Sequence, residues 1–156
     1  MLGDRTLLVN PPLVGGVAFT RQGRCQEREE GLGTTKPPYT LALTAALLRT
    51  RGHAVRVVDL TATSRSVDDL IRELDRDGFA PTLIVFPSTT PTLAADVQAM
   101  AALKQRYGAP LFAFGPQASA APAESMQRAP VVDGLLVGEP EDGIVALADL
   151  DSLDGL

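Results

Sequence analysis

An α/β fold with a doubly wound parallel sheet is what this sequence predicts, and three observations predict it. Five short, largely apolar runs rich in Val, Leu, Ile and Phe occupy residues 6–10, 55–59, 82–87, 111–114 and 134–137. Near-continuous apolar runs of this length are the pattern of strands buried on both faces. The segments between them carry helical periodicity, and alternating strands and helices implies parallel strands joined by right-handed crossovers. The composition agrees: of 156 residues, 45% are hydrophobic but only 4% aromatic and none is Trp, which suits aliphatic strands packed between helices in one domain.

The elements follow in order. The first strand ends at Asn10-Pro11-Pro12, where proline removes backbone donors and pushes Asn10 toward extended geometry. The first helix carries Leu41, Ala45 and Leu48 and stops at Gly52, a residue suited to the left-handed position after a helix end. After the second strand, Ser66-Val67-Asp68-Asp69 forms a capping box, weakened because Asp replaces the preferred Glu, and Leu70, Ile71 and Leu74 give the second helix its apolar stripe before Gly78. The third helix, 92–107, turns Leu93, Val97, Met100, Ala101 and Leu103 inward and ends before Gly108-Ala109-Pro110. A shorter helix is predicted over 121–128 with Pro122 in its first turn, and a last one from near Glu141 to about Asp149. Five strands in this βαβαβαβαβα order favour the flavodoxin-like, Rossmann-like sheet order 2-1-3-4-5, with helices on both faces.

Two stretches depart from this economy. Residues 13–37 join the first strand to the first helix, against roughly 2 to 6 residues in an ordinary βα loop. This loop holds Gly15-Gly16, Gly23, Gly31, Gly33 and the charged run 24–30 around Cys25, and its length marks it as functional or disordered. At the other end, residues 150–156 lack a structural terminator and read as a linker stub, which leaves 1–149 as the domain.

Charge and cysteine usage narrow the partners. A net charge of -5 with no basic cluster gives no footprint for a phosphate backbone, so nucleic acid is not expected. The apolar run at residues 7–9 is far too short for a signal peptide or membrane span, and one lone thiol suits a reducing compartment, so the expectation is a cytoplasmic protein.

In an open parallel sheet, ligands bind beyond the carboxyl ends of the strands at the point where connections diverge to opposite faces, here between strands one and three. Four loops converge there: Asn10-Pro11-Pro12, Pro87-Ser88-Thr89-Thr90-Pro91-Thr92, Gly115-Pro116-Gln117-Ala118-Ser119 and Gly138-Glu139-Pro140. Hydroxyls, glycines and few charges suit a large, mostly neutral ligand. The same residues also suit plain structure: Thr90 or Thr92 as N-cap of the third helix, and Gly115 and Gly138 as strand-end turns. No G-x-G-x-x-G follows the first strand and no G-x-x-x-x-G-K-[ST] occurs, which disfavours a dinucleotide or NTP site. His53 belongs to a turn at the opposite end of the sheet, so it reads as structural or solvated, and no Ser/His/Asp triad can form with it. Cys25 has no second Cys or His at a metal spacing.

Taken together, these residues resemble the cobalamin-binding domain at the N-terminus of cobalamin-dependent radical S-adenosylmethionine enzymes. The resemblance runs through Leu7-Leu8-Val9-Asn10-Pro11-Pro12, Pro37-Pro38-Tyr39-Thr40-Leu41-Ala42 and Gly52-His53-Ala54-Val55-Arg56-Val57-Val58-Asp59. It continues through Thr89-Thr90-Pro91-Thr92, Gly115-Pro116-Gln117 and Asp133-Gly134-Leu135-Leu136-Val137-Gly138-Glu139-Pro140-Glu141, so that nearly the whole chain is covered. By that resemblance, cobalamin lies over the carboxyl ends of the strands. Ser88, Thr89 and Thr90 would meet its nucleotide tail from one side, Gly115, Pro116 and Gln117 from the other, and Thr92 is counted with them as cofactor-binding. Asn10, Pro12, Gly138 and Glu139 would border the corrin. The D-x-H-x-x-G motif of methionine-synthase-like modules is replaced by Asn10-Pro11-Pro12-Leu13-Val14-Gly15, which implies base-off binding without a protein histidine on cobalt.

The family's radical chemistry needs a C-x-x-x-C-x-x-C cluster site, and one cysteine holds no iron–sulfur cluster. The expectation is therefore a carrier module whose S-adenosylmethionine and [4Fe-4S] sites belong to a separate radical domain, in cis or in trans, of a methyltransferase or cyclase. Two other classes fit the fold: a receiver-like regulatory module, which lacks the expected acidic cluster after the first strand, and a small-molecule enzyme, for which Glu139 is the one acid/base candidate among the loops.

Overall fold

Alternation along the strands sorts the core into two layers. The computed structural model describes residues 1–21 and 36–153. Within them, strands β1 (Arg5–Asn10), β2 (Ala54–Asp59), β3 (Leu83–Pro87), β4 (Leu111–Phe114) and β5 (Gly134–Leu136) form one all-parallel sheet in the order β2-β1-β3-β4-β5. Leu7 and Val9 of β1 point to one face with Ile84, Phe86, Leu111 and Ala113. Leu8 points to the other with Leu83, Val85, Phe112 and Phe114. This is the doubly wound, flavodoxin-like arrangement that the sequence predicts.

The helices divide accordingly. The first face is covered by α3 (Val67–Asp77), through Val67, Leu70 and Leu74, and by α4 (Leu93–Tyr107), through Leu93, Val97, Met100 and Leu103. The second is covered by α1 (Tyr39–Thr50), through Leu41, Ala45 and Leu48, and by α7 (Pro140–Asp149), through Ile144, Val145, Leu147 and Ala148. Burying an aliphatic side chain of this size stabilises the fold by about 1.5–3 kcal/mol.

Helix ends obey local chemistry. Ser66 accepts from the Asp69 backbone N–H, and the Asp69 carboxylate accepts from Ser66 N–H at 3.0 Å, so the capping box closes even with Asp in place of Glu. Three short elements went unpredicted: α2 (Leu60–Thr63), α5 (Pro116–Ala120) and a tight turn in which Val14 and Val17 pair antiparallel around Gly15-Gly16. Helix α2 forms because Asp59, the last residue of β2, caps it by accepting from Ala62 N–H at 2.9 Å. Helix α6 (Pro122–Arg128) follows α5 and starts on its proline as predicted.

At the amino end of the sheet, Gly3 N–H donates to Ala148 O at 2.9 Å, and Leu150 and Leu153, in the stretch read as linker, pack against the α1/α7 layer. Among the described residues no helix is long and apolar enough to cross a membrane. Cys25, the charged run 24–30 and residues 154–156 lie outside the described residues.

Candidate functional site

The connection after β1 runs to α1 on one face and that after β3 to α4 on the other, so the sheet's switch point lies between the carboxyl ends of β1 and β3. All four sequence-predicted loops reach this end of the sheet. Side-chain bonds join three of them in series. Thr90 Oγ1 donates to Gln117 Oε1 at 2.7 Å, linking the loops after β3 and β4, and Gly138 N–H donates to Ser119 Oγ at 3.0 Å, linking those after β4 and β5.

The individual residues fall into two groups. Ser88, Thr89 and Thr92 are buried, with hydroxyls turned into the protein. Thr89 N–H donates to Thr92 Oγ1 at 3.2 Å, and Thr92 Oγ1 lies 2.6 Å from Asp96 Oδ2, four residues on. Thr92 thus holds the N-cap position of α4 without capping it through its side chain. Thr90, Gly138 and Glu139 are exposed, Pro12 and Pro116 are half-buried, and Gln117 is buried behind Thr90. Gly115 adopts φ 122°, a conformation open only to glycine, and a Cβ there would run into the carbonyl oxygen of Ser88. The β4 turn therefore lies directly against the β3 turn because residue 115 has no side chain.

Asn10 carries an unmet valence. At 4% exposure, its Nδ2 donates to Asp59 Oδ1 at 2.9 Å, while its Oδ1 has no hydrogen-bond partner among the described residues. A buried acceptor without a donor costs about 1–3 kcal/mol.

The strongest electrostatic feature of this end was not anticipated. Arg21, in the long loop, is buried against Asp96 of α4. Its Nε lies 3.0 Å from both carboxylate oxygens and its Nη2 donates to Asp96 Oδ1 at 2.7 Å and to Pro12 O at 2.9 Å. Its Nη1 donates to Pro11 O at 3.2 Å and Thr61 Oγ1 at 3.1 Å. Asp96 Oδ2 also accepts from Ser88 Oγ at 3.0 Å. Burial pushes the Asp96 carboxyl above its ordinary pKa, against the opposing pull of Arg21 and the two hydroxyls. Removing one partner of such a pair costs about 3–5 kcal/mol, whereas replacing both by apolar groups is often neutral or better. A signal for Asp96 existed: it falls among Leu93, Val97, Met100 and Leu103 on the inward stripe of α4, where an acid needs a partner.

A cavity of about 550 Å³ opens beside this cluster, between the α2–α3 turn and α4, lined by Leu13, Ser64, Arg65, Val67, Gln98 and Ala99 among others. Pro12 is the one residue of the predicted site on its wall. His53 is buried at the opposite end, its Nδ1 3.1 Å from Gly3 O and its Nε2 2.9 Å from Asp149 Oδ1, a structural position. Among the described residues no three or more His, Cys, Asp and Glu stand together as metal ligands. Neither a protein-family model nor a curated protein matches the chain.

Proposed function

We propose that this chain is a cobalamin-binding domain, of the kind its motifs resemble in cobalamin-dependent radical S-adenosylmethionine enzymes. The observation that carries the reading is the convergence of three distant motifs, around Asn10, Ser88–Thr92 and Gly115–Gln117, on one end of a sheet ordered β2-β1-β3-β4-β5. The residues there fit such a ligand in kind. Asn10 Oδ1 is a buried acceptor in want of a donor, and the edge of a corrin is rich in amide N–H groups. Thr90 and Glu139 offer polar contacts at the rim, with Gln117 bonded behind Thr90, and among the described residues nothing stands within 4 Å of where a Cβ at Gly138 would be.

Bound cobalamin would supply a cobalt centre for methyl or electron transfer. The chain's own residues would hold it by neutral contacts, base-off, with His53 committed elsewhere. S-adenosylmethionine and the [4Fe-4S] cluster would belong to a radical domain in cis or in trans, and a cytoplasmic setting suits the lone Cys25. The test is reconstitution of the chain with hydroxocobalamin or methylcobalamin followed by gel filtration. A corrinoid band that travels with the protein supports the reading, and colourless protein after both treatments overturns it.

A further inference from the structure

The buried Arg21–Asp96 pair has a consequence for that site. Residues 13–21 do not wander from the end of β1. They turn back at Gly15-Gly16, where Val14 and Val17 exchange backbone hydrogen bonds at 2.9 and 3.0 Å, and they return Arg21 to the carbonyls of Pro11 and Pro12, where the segment began. Proline has no N–H, and the carbonyls beyond the last rung of β1 have left the sheet ladder, so they need donors from elsewhere. The guanidinium fork supplies them, and Thr61 Oγ1 adds a second donor to Pro11 O at 2.6 Å. The same fork is anchored to α4, which is fixed by its own packing through Val97 and Met100. Lysine, with one compact ammonium, cannot bond Asp96, Thr61 and both proline carbonyls at once.

We propose that Arg21 and Asp96 are positioning residues that lock the 13–21 hairpin against the carboxyl end of β1 as a preformed wall of the ligand site. The proposal rests on the cobalamin reading of that site. The pair does not touch ligand, since both side chains are fully enclosed and every Arg21 donor is spent inside the protein. Val14, Val17, Ala18 and Phe19 of this segment are half-buried and apolar, a composition suited to the flat of a large ring rather than to a phosphate or sugar. The pair also fixes what remains for polar recognition. Ser88 and Thr92 are engaged with Asp96, which leaves Asn10, Glu139 and the mutually bonded Thr90 and Gln117.

The experiment compares the wild-type chain with Arg21→Met/Asp96→Met and with Arg21→Lys by thermal melting, amide hydrogen exchange over residues 13–20 and hydroxocobalamin titration. The double variant removes both charges together, so no lone buried charge remains, and it is expected to fold but to melt below wild type because Pro12 O loses its Arg21 donor and the Ser88 and Thr92 hydroxyls lose the Asp96 acceptor. Its amides over 13–20 are expected to exchange at least ~10-fold faster, and its corrinoid affinity to fall ~10-fold or more. Arg21→Lys keeps the charge opposite Asp96 and covers the case in which the double variant fails to fold; it too is expected to loosen 13–20 and weaken binding. Unchanged protection over 13–20 in a folded variant overturns the lock. Faster exchange with wild-type affinity overturns the wall. A wild-type chain that binds no corrinoid removes the ligand reading and the wall with it, while the exchange data still report separately on the lock.

Discussion

Gly115 and Ser88 are in direct backbone contact: the turn after β4 lies so close to the turn after β3 that a side chain at residue 115 would meet the Ser88 carbonyl oxygen. Ser88 N–H also donates to Phe114 O at 2.8 Å, so the two turns are joined through the backbone as well.

A pair of alanine substitutions separates close approach from backbone strain. Gly138 has φ 85° with nothing among the described residues within 4 Å of where its Cβ would stand, so Gly138→Ala meets the left-handed penalty, about 1–2 kcal/mol. Gly115→Ala meets both a glycine-only conformation and a backbone atom that cannot yield, and is expected to cost about 3 kcal/mol or more. Urea denaturation midpoints at equal m-values measure both. Equal losses at the two sites would mean that the β3 and β4 turns are not in the contact described.

The Thr90–Gln117 bond should be modest in energy yet specific in effect. Thr90→Val keeps shape and removes the donor, leaving the buried Gln117 oxygen unpaired, at a cost of about 1 kcal/mol. Thr90→Ser restores the donor and should recover most of that stability. A Val variant as stable as wild type would show that the bond contributes nothing.

What was legible in the sequence, and what was not, follows from the range of the interactions. Strands and long helices rest on periodicity over neighbouring residues, and the boundary residues Gly52, Ser66, Gly78 and Gly108 act on backbone within a turn of themselves, so a one-dimensional reading finds them. Helix α2 was missed because its cap, Asp59, is also the last residue of a strand and was read only as such. Helix α5 was missed because Gly115-Pro116 signals a turn and a one-turn helix equally well. The Arg21–Asp96 pair joins residues 75 apart, and nothing local to Arg21 distinguishes it from a solvated loop arginine. The Ser88 and Thr92 hydroxyls turn inward onto the same Asp96 carboxylate, so their direction was equally out of reach.

Asn10 offers a case in which stability and binding should part. Asn10→Leu loses the hydrogen bond to Asp59 but also removes a buried oxygen that has no partner, and Asp59 keeps its role as cap of α2. The two terms oppose each other, each of about 1–3 kcal/mol, so the ligand-free variant is expected within about 1 kcal/mol of wild type. If Asn10 Oδ1 accepts from a corrin amide, the same variant should retain hydroxocobalamin at least ~10-fold less tightly. Unaltered retention would remove Asn10 from the site without touching the remaining contacts.

The capping box of α3 predicts a pH dependence of defined sign. The Ser66 hydroxyl and backbone N–H, then Arg72, hold the Asp69 carboxyl down from the ordinary 3.8 to about 2. A carboxylate with a depressed pKa in the folded state contributes stability that is fully present above its unfolded value and is lost as pH falls through its folded value. The stability difference between wild type and Asp69→Ala should therefore be constant above about pH 5, shrink steadily below about pH 4, be mostly lost by pH 2, and level off only below that. Since Asp69 is solvent-exposed and salt screens such groups, the acid-dependent part should also be smaller in high salt. Chemical denaturation of both proteins at half-unit steps from pH 6 to 2 gives the curve. A difference that stays flat to pH 2 would mean that the charged carboxylate is not what closes the box, and that the Ser66 hydroxyl alone holds the first turn of α3.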